Sequence, residues 1–393
     1  MAVENPKNQT LNPSASTRAD AIQIVGLFLR LGITAFGGPA AHISIFHDEV
    51  VLRRKWLTEQ EFLDLLGATN LIPGPNSTEM AIHIGYRRAG WIGLLLAGTC
   101  FILPAMLIVL GISWLYVQYG NLPQANWIMY GIQPVVIAII FQALLGLGKK
   151  AVKGIWLALV GVLSVALYFY NVNPILILVI GGVLALVIPQ AGRVRDLVRG
   201  VFPFFLDPYL ILLVSSQPYS PWILFTSFLK IGAVLYGSGY VLFAFLYSEF
   251  VENLGWLTQK ELIDAIAIGQ VTPGPVFTSA TFIGYILGGV SGGVLATVAI
   301  FLPSFIFVAL SNPLVPKIRN SPWAGSFLDG VNVASLGLMV GVTWFLGLGA
   351  FPDFITIAVG IISLILLLRF KVNTTWLILG GLLVGLLAST FQT

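Results

Sequence analysis

An all-α polytopic membrane protein, built from two homologous repeats of inverted topology, is the fold class this sequence predicts. Composition is the first reason. Only 9% of the 393 residues are charged and 57% are hydrophobic, whereas soluble domains carry about 25% charged residues. Too few charges remain to solvate a globular surface of this size. The second reason is the form of the apolar runs, which recur from residue 90 to the end. They are continuous rather than alternating, which predicts spanning helices and excludes a β-barrel. The third is internal repetition.

The repeat can be read motif by motif. "FLRLG" at 28–32 returns as "FLKIG" at 228–232, and "FGG" at 36–38 as "YGS" at 236–238. Glu49 matches Glu249, "WLTEQEFLD" at 56–64 matches "WLTQKELID" at 256–264, and "PGP" occurs at both 73–75 and 273–275. After a one-residue deletion, "IGY" at 84–86 returns at 283–285 and "FILPA" at 101–105 as "IFLPS" at 300–304. The expected organisation is an N-terminal repeat over 1–195, a linker over 196–216 and a C-terminal repeat over 217–393. Basic residues mark cytoplasmic loops, and their distribution inverts between the halves. In the first half they follow the spans as Arg87 and Arg88, Lys149, Lys150 and Lys153, and Arg193, Arg195 and Arg199, while loops 118–126 and 171–174 are uncharged. In the second half Lys317 and Arg319, and Arg369 and Lys371, occupy the loops equivalent to those uncharged ones. The halves are therefore expected to cross the membrane in opposite senses, which requires the linker to cross once.

The N-terminal stretch is polar and has no apolar core followed by a small-residue cleavage site, so it is expected to stay in the cytoplasm. Each half then opens with two broken or re-entrant hairpins. Thr58 and Glu61 form a capping box that starts a helix. Pro73 disfavours helix in the residue before it, so this helix ends near Asn70. Pro75 is suited to start the next one. Each piece has roughly 13 residues, about 20 Å long, too short for about 30 Å of hydrocarbon. Both flanks carry basic residues (Arg53, Arg54 and Lys55 before, Arg87 and Arg88 after), so the simplest path is a cytoplasmic hairpin with "PGP" at its tip. Residues 22–53 predict a second hairpin turning at "FGGP", 36–39. About four transmembrane helices follow in each half. Trp56 and Trp256 are expected as interfacial anchors, and small-residue runs such as "GVSGGVLATVA" as helix-packing surfaces.

A half-helix that starts at Pro75 directs unsatisfied N–H groups and a positive dipole end at the tip, and such an end binds anions. The candidate substrate-binding residues are accordingly Gly74, Pro75, Asn76, Ser77 and Thr78 at the first PGP tip and Gly274 and Pro275 at the second. Gly37, Gly38, Pro39 and His42 join them at the "FGGP" turn, and Gly237 and Ser238 at its counterpart. Arg30 and Lys230 stand at equivalent places inside apolar helices, where a cation is a functional candidate; the alternative is that they pair with carboxylates such as Glu49 and Glu249. Glu79, His83 and Arg87 share one helix face at i, i+4, i+8. Glu79 and His83 are candidate proton-coupling residues, and the competing reading is a solvated stripe facing a cytoplasmic vestibule. Thr278 and Phe282 replace them in the second half. His42, His47, Asp48 and Glu49 have no metal-ligand spacing, and with a single cysteine, Cys100, neither a metal centre nor a disulfide is expected.

At these positions the sequence resembles the chromate ion transporter family in its long, two-domain form. The resemblance rests on Phe36-Gly37-Gly38-Pro39-Ala40-Ala41-His42-Ile43, on Pro73-Gly74-Pro75, and on the Gly-rich helix from Gly90 to Pro104. The second half departs from it, reading "YGSGYVLF" where the first reads "FGGPAAHI". What the resemblance implies is a secondary transporter that exports chromate across the cytoplasmic (inner) membrane, driven by the proton gradient. Sulfate or another oxyanion, taken up rather than exported, is the alternative, and a passive anion channel a further one. The residues give no nucleophile–base pair of an enzyme. The expected partners are an oxyanion and the lipid bilayer, with a second copy of the chain as a candidate; neither a cofactor nor nucleic acid is expected.

Overall fold

A computed structural model of the chain describes residues 18–120, 123–187, 218–236, 239–311 and 322–391. Among the described residues every regular element is a helix. The first half comprises α1 (Arg18–Thr34), α2 (Gly38–His47) extended by a π-turn (Asp48–Arg53), α3 (Glu59–Thr69), α4 (Asn76–Tyr119), α5 (Pro123–Ala151), α6 (Ile155–Phe169) and α7 (Pro174–Val187). The second half repeats the order as α8 (Pro221–Val234), α9 (Leu242–Leu246) with its π-turn (Tyr247–Asn253), α10 (Gln259–Val271), α11 (Ser279–Ser311), α12 (Pro322–Ala350), α13 (Phe354–Arg369) and α14 (Thr374–Phe391). The expected linker, 196–216, lies outside the described residues.

Local sequence explains where the half-helices begin and end. Thr58 and Glu61 close a reciprocal capping box on α3, and Thr258 and Glu261 do the same on α10. α3 stops at Asn70, ahead of Pro73, and α4 starts immediately after Pro75. α4 is one helix in name only. Ala89 and Gly90 leave helical geometry, Gly90 with φ 59 and ψ −142, and the chain folds back on itself. Gly98 packs against Ile82, and Gly85 lies so close to the Gly93 carbonyl that a side chain would overlap it. In a straight helix eight residues span about 12 Å. Gly289 makes the same reversal in α11, with φ 64 and ψ −154.

The charged ends of the first-half hairpins cluster together. Arg88 pairs with Asp20 at 2.7 Å, and the guanidinium groups of Arg54 and Arg88 lie 5.3 and 5.2 Å from the Trp56 ring. The starts of α1 and α3 and the end of segment 76–88 therefore share one face. The counterpart Trp256 packs against Tyr219 with ring centroids 5.5 Å apart; an uncharged contact replaces the basic one.

The halves interlock around a pseudo-twofold axis. α5 packs on α13 and α14 of the other half, and α12 packs on α6 and α7. Gly131 lies against Gly381 and, reciprocally, Gly330 against Gly181, the small-residue approach that lets membrane helices close without a large apolar gain. In the contact between α4 and α11, Gly98 meets Phe305 while Leu110 meets Gly293, so these equivalent helices run antiparallel. Two polar pairs repeat that relation: Lys153 to Asp329 at 2.7 Å, and Tyr130 hydroxyl to Asp353 at 2.6 Å. A twofold axis perpendicular to the helices produces antiparallel equivalents; an axis along them does not.

Among the described residues four helices, α4, α5, α11 and α12, are long and apolar enough to cross a membrane. α6 and α13 run only 15 and 16 residues, about 22 to 24 Å, and the left-handed Asn171 and Lys371 turn the chain after them. Such helices span only with local bilayer thinning. The four helices expected after the hairpins are present in each half, and α6 and its counterpart α13 are shorter than a full crossing. Trp91, Ile92, Leu95, Val162, Ile361 and Ile362 are exposed on the outside of the bundle, where lipid is their solvent.

Candidate functional site: the meeting of four hairpin tips

Each half contributes two tips, and the geometry brings them together across the pseudo-twofold. The Gly74 N–H donates to the Leu235 carbonyl at 2.8 Å, and the Gly274 N–H donates to the Ala35 carbonyl at 2.9 Å. Every PGP tip is thus tied to the end of the opposite half's first helix. Gly74 and Gly274 sit at φ 139 and φ 85, a region open to glycine. The Ala35 carbonyl also accepts from His42 Nε2 at 3.1 Å, which fixes the tautomer and leaves Nδ1 without a partner. The His42 ring stands edge-on to Phe101, 5.6 Å between centroids. Gly37 and Gly38 form the turn at φ 104 and φ 79, with Pro39 opening α2. Pro39 lies beside Gly239, and Tyr240 beside Gly38. Gly237 and Ser238 lie outside the described residues.

The N-terminus of α4 opens here. Thr78 and Glu79 return their N–H groups to the Pro75 carbonyl at 2.8 and 3.0 Å, while those of Asn76 and Ser77 have no intrahelical acceptor. Asn76 Nδ2 donates to Asn70 Oδ1 at 2.8 Å, closing the PGP loop across its base. Ser77 and Thr78 are buried, and the Thr78 hydroxyl has no partner.

Glu79 is the charged group of the site. It is fully buried, and its carboxylate presses against the Gly74 backbone with the Ser304 hydroxyl of α11 alongside. Neither carboxylate oxygen makes a hydrogen bond of ordinary geometry. His83, one turn on, is also fully buried, whereas Arg87 is exposed. The stripe is therefore not solvated along its length: its inner two members are enclosed and its outer member reaches the basic face. Among the described residues no group of three His, Cys, Asp or Glu side chains could hold a metal.

Arg30 and Lys230 stand apart from the tips. Arg30 pairs with Glu49 at 2.7 Å, and Arg54 and Arg53 approach the same carboxylate at 3.2 and 3.5 Å. Lys230 pairs with Glu249 at 2.6 Å, and the Ser227 hydroxyl adds a bond at 2.7 Å. Both carboxylates belong to π-turns at equivalent places, and Arg30 lines a lateral cavity of about 480 Å³ with Thr34, Ser44, Asp48 and Arg53. Glu49 keeps two guanidiniums when Arg30 is removed; Glu249 keeps only a hydroxyl when Lys230 is removed. Arg30→Ala is accordingly expected to destabilise less than Lys230→Ala, by about 1 kcal/mol, measured by thermal unfolding in detergent. Equal losses would mean that Arg53 and Arg54 do not support Glu49.

Neither Ser304 nor Asp264 stands out in the sequence as a site residue. Ser304 had a signal, since it replaces Ala105 between otherwise matching repeat motifs. Asp264 had none, because Asp64 stands at the same place in the first half.

The sequence profile of the chromate transporter family fits residues 22–186 and again residues 222–386. The chain belongs to the chromate transporter family. A chromate transport protein of Cupriavidus metallidurans is 32% identical over 374 residues, covering 93% of this chain and 92% of that protein. A probable chromate transport protein of Synechococcus elongatus is 31% identical over 355 residues, covering 87% and 88%. An uncharacterized transporter of Methanocaldococcus jannaschii is 27% identical over 399 residues, covering 98% of each chain. No solved structure matches the chain. This chromate transporter family member is thus a multi-pass membrane protein with two repeats, and its family is one of transporters.

Proposed function

We propose that this chain exports chromate from the cytoplasm across the inner membrane, coupled to the proton gradient, with its N-terminus in the cytoplasm. The observation that carries the reading is the convergence of two PGP tips, each hydrogen-bonded to the opposite half, beside a buried carboxylate. Helix N-termini of this kind receive tetrahedral oxyanions, and a site at the interface of inverted repeats is the usual seat of an alternating-access transporter. Gly37, Gly38, Pro39, His42 and the Gly74–Thr78 segment surround the substrate from the first half, and Gly274 and Pro275 from the second. Glu79 and His83 relay protons between the face marked by Arg87 and the tip. Arg30 and Lys230 act on the substrate through the hairpins they brace, since both cations are committed to carboxylates.

Purified protein in sealed inside-out vesicles tests the reading. Labelled chromate is expected to accumulate, and collapsing the proton gradient is expected to stop it. Accumulation of sulfate but not chromate would assign a different oxyanion. Flux indifferent to the gradient would make the protein a channel.

A further inference from the structure

A second carboxylate is buried in the half that lacks Glu79. Asp264 lies in the second turn of α10 and is fully enclosed. Two neutral donors from the other half hold it: the Tyr116 hydroxyl of α4 and Gln133 Nε2 of α5, each at 2.8 Å. Among the described residues no cation lies within ion-pair distance of it. Its counterpart Asp64 is partly exposed and bonded by Gln60 of its own helix at 3.0 Å. The two halves therefore differ in where they bury a carboxylate: at Glu79 after the tip in one, at Asp264 before the tip in the other.

A carboxylate inside a membrane half-helix, with neutral partners alone, is a functional group by default. The clasp suits both protonation states. Tyr116 and Gln133 donate to the anion, and a tyrosine hydroxyl or an amide oxygen also accepts from the acid. The charged groups that act on Asp264 sit on its own helix, Lys260 and Glu261, nearer the N-terminus. The π-turn Tyr247–Asn253, which also packs against α10, carries Glu252, held by Ser248. Lys260 is exposed and donates to Asn126 at 2.7 Å. It lies one turn above Asp264, about 6 Å along the helix face. The swapped basic residues put this end of α10 on the non-cytoplasmic face.

We propose that Asp264, clasped by Tyr116 and Gln133, is a second proton-binding site, open to the non-cytoplasmic face. A proton from the outer aqueous phase bonds to the carboxylate and later leaves it for water. The proposal deepens the coupled-export reading and rests on it for its physiological role.

The test pairs an infrared pH titration of purified protein with chromate flux in proteoliposomes. Asp264→Asn keeps an acceptor for Tyr116 and a polar group for Gln133 but takes no proton. A carboxylic C=O band that titrates is expected in the wild type and in Glu79→Gln, and its loss is expected in Asp264→Asn. The flux response to an imposed pH gradient is expected to fall about ten-fold at an unchanged melting temperature. An Asp264→Asn protein with the full band set, or with the full gradient response, would overturn the proposal. If Asp264→Asn fails to fold, Tyr116→Phe is used, and the Asp264 band must shift with the lost donor; a band that does not move is equally fatal. If the wild type moves no chromate yet the Asp264 band titrates, the export reading fails and the proton site stands.

Discussion

Glu79→Gln is expected to remove the pH dependence that this side chain imposes on chromate binding. The Glu79 carboxylate lies against Gly74, at the helix end that carries roughly half a positive charge, with no cation beside it and only the Ser304 hydroxyl alongside among the described residues. An ionised Glu79 therefore occupies the electrostatic seat that an oxyanion would use. Two unit charges about 5 Å apart at an effective dielectric constant near 20 repel by about 3 kcal/mol, and a dianion doubles that. The repulsion is worth roughly two orders of magnitude in affinity or more. Chromate must then bind to the protonated form of Glu79. The sign follows: affinity is full at low pH, where Glu79 is protonated, and falls as pH rises through its titration, about ten-fold per pH unit for one proton. The amide of the Glu79→Gln variant carries no charge at any pH, so the slope contributed by this side chain vanishes and affinity stays at the acidic level. Any pH dependence of the anion itself is common to both proteins and cancels in the comparison. Equilibrium binding of labelled chromate in detergent across a pH series measures it. Parallel curves for wild type and variant would remove Glu79 from the anion's neighbourhood.

The parts of this architecture legible in the sequence are those set by short-range chemistry. Thr58 with Glu61, and Thr258 with Glu261, announce a helix start because the capping box is closed within four residues. Pro73 and Pro75 announce a stop and a start for the same local reason. The pairing of the halves could be anticipated only in outline. Swapped basic residues give the sense of insertion, but that Gly74 bonds to Leu235 and Gly274 to Ala35 depends on contacts some 160 to 240 residues apart in the chain. Burial was the other gap. A spacing of four residues puts Glu79, His83 and Arg87 on one face without saying what covers it, and α11 with Ser304 covers the inner part. Asp264 was visible inside the repeated "WLTQKELID" and gave no sign of its enclosure, because its partners Tyr116 and Gln133 come from the other half.

Gly74→Ala is expected to abolish transport and to lower stability substantially. At φ 139 the backbone lies where an L side chain is strained, at a cost of about 1–3 kcal/mol. The added methyl would also coincide with the Glu79 carboxylate and stand 2.7 Å from the Ser304 hydroxyl. Overpacking of this kind adds about 1–3 kcal/mol, so the loss reaches about 2–6 kcal/mol against a typical total of 5–15. Relief requires the Glu79 carboxylate to leave its place or the tip to withdraw, and withdrawal breaks the Gly74–Leu235 hydrogen bond joining the halves. The equivalent change Gly274→Ala meets a different obstacle: at φ 85, its methyl faces Ala105 Cβ at 2.7 Å and the Gly32 carbonyl at 3.3 Å. Ala105→Gly removes the closest of these, so the pair Gly274→Ala with Ala105→Gly is expected to regain part of its melting temperature. Ser304→Gly cannot do the same for Gly74→Ala, because the Glu79 carboxylate still fills the space. Melting temperatures of the four proteins in detergent, with chromate flux in vesicles, measure the difference. Equal rescue in the two halves would mean that Glu79 is free to swing away from Gly74, and the tip would then not hold the carboxylate in the anion's seat.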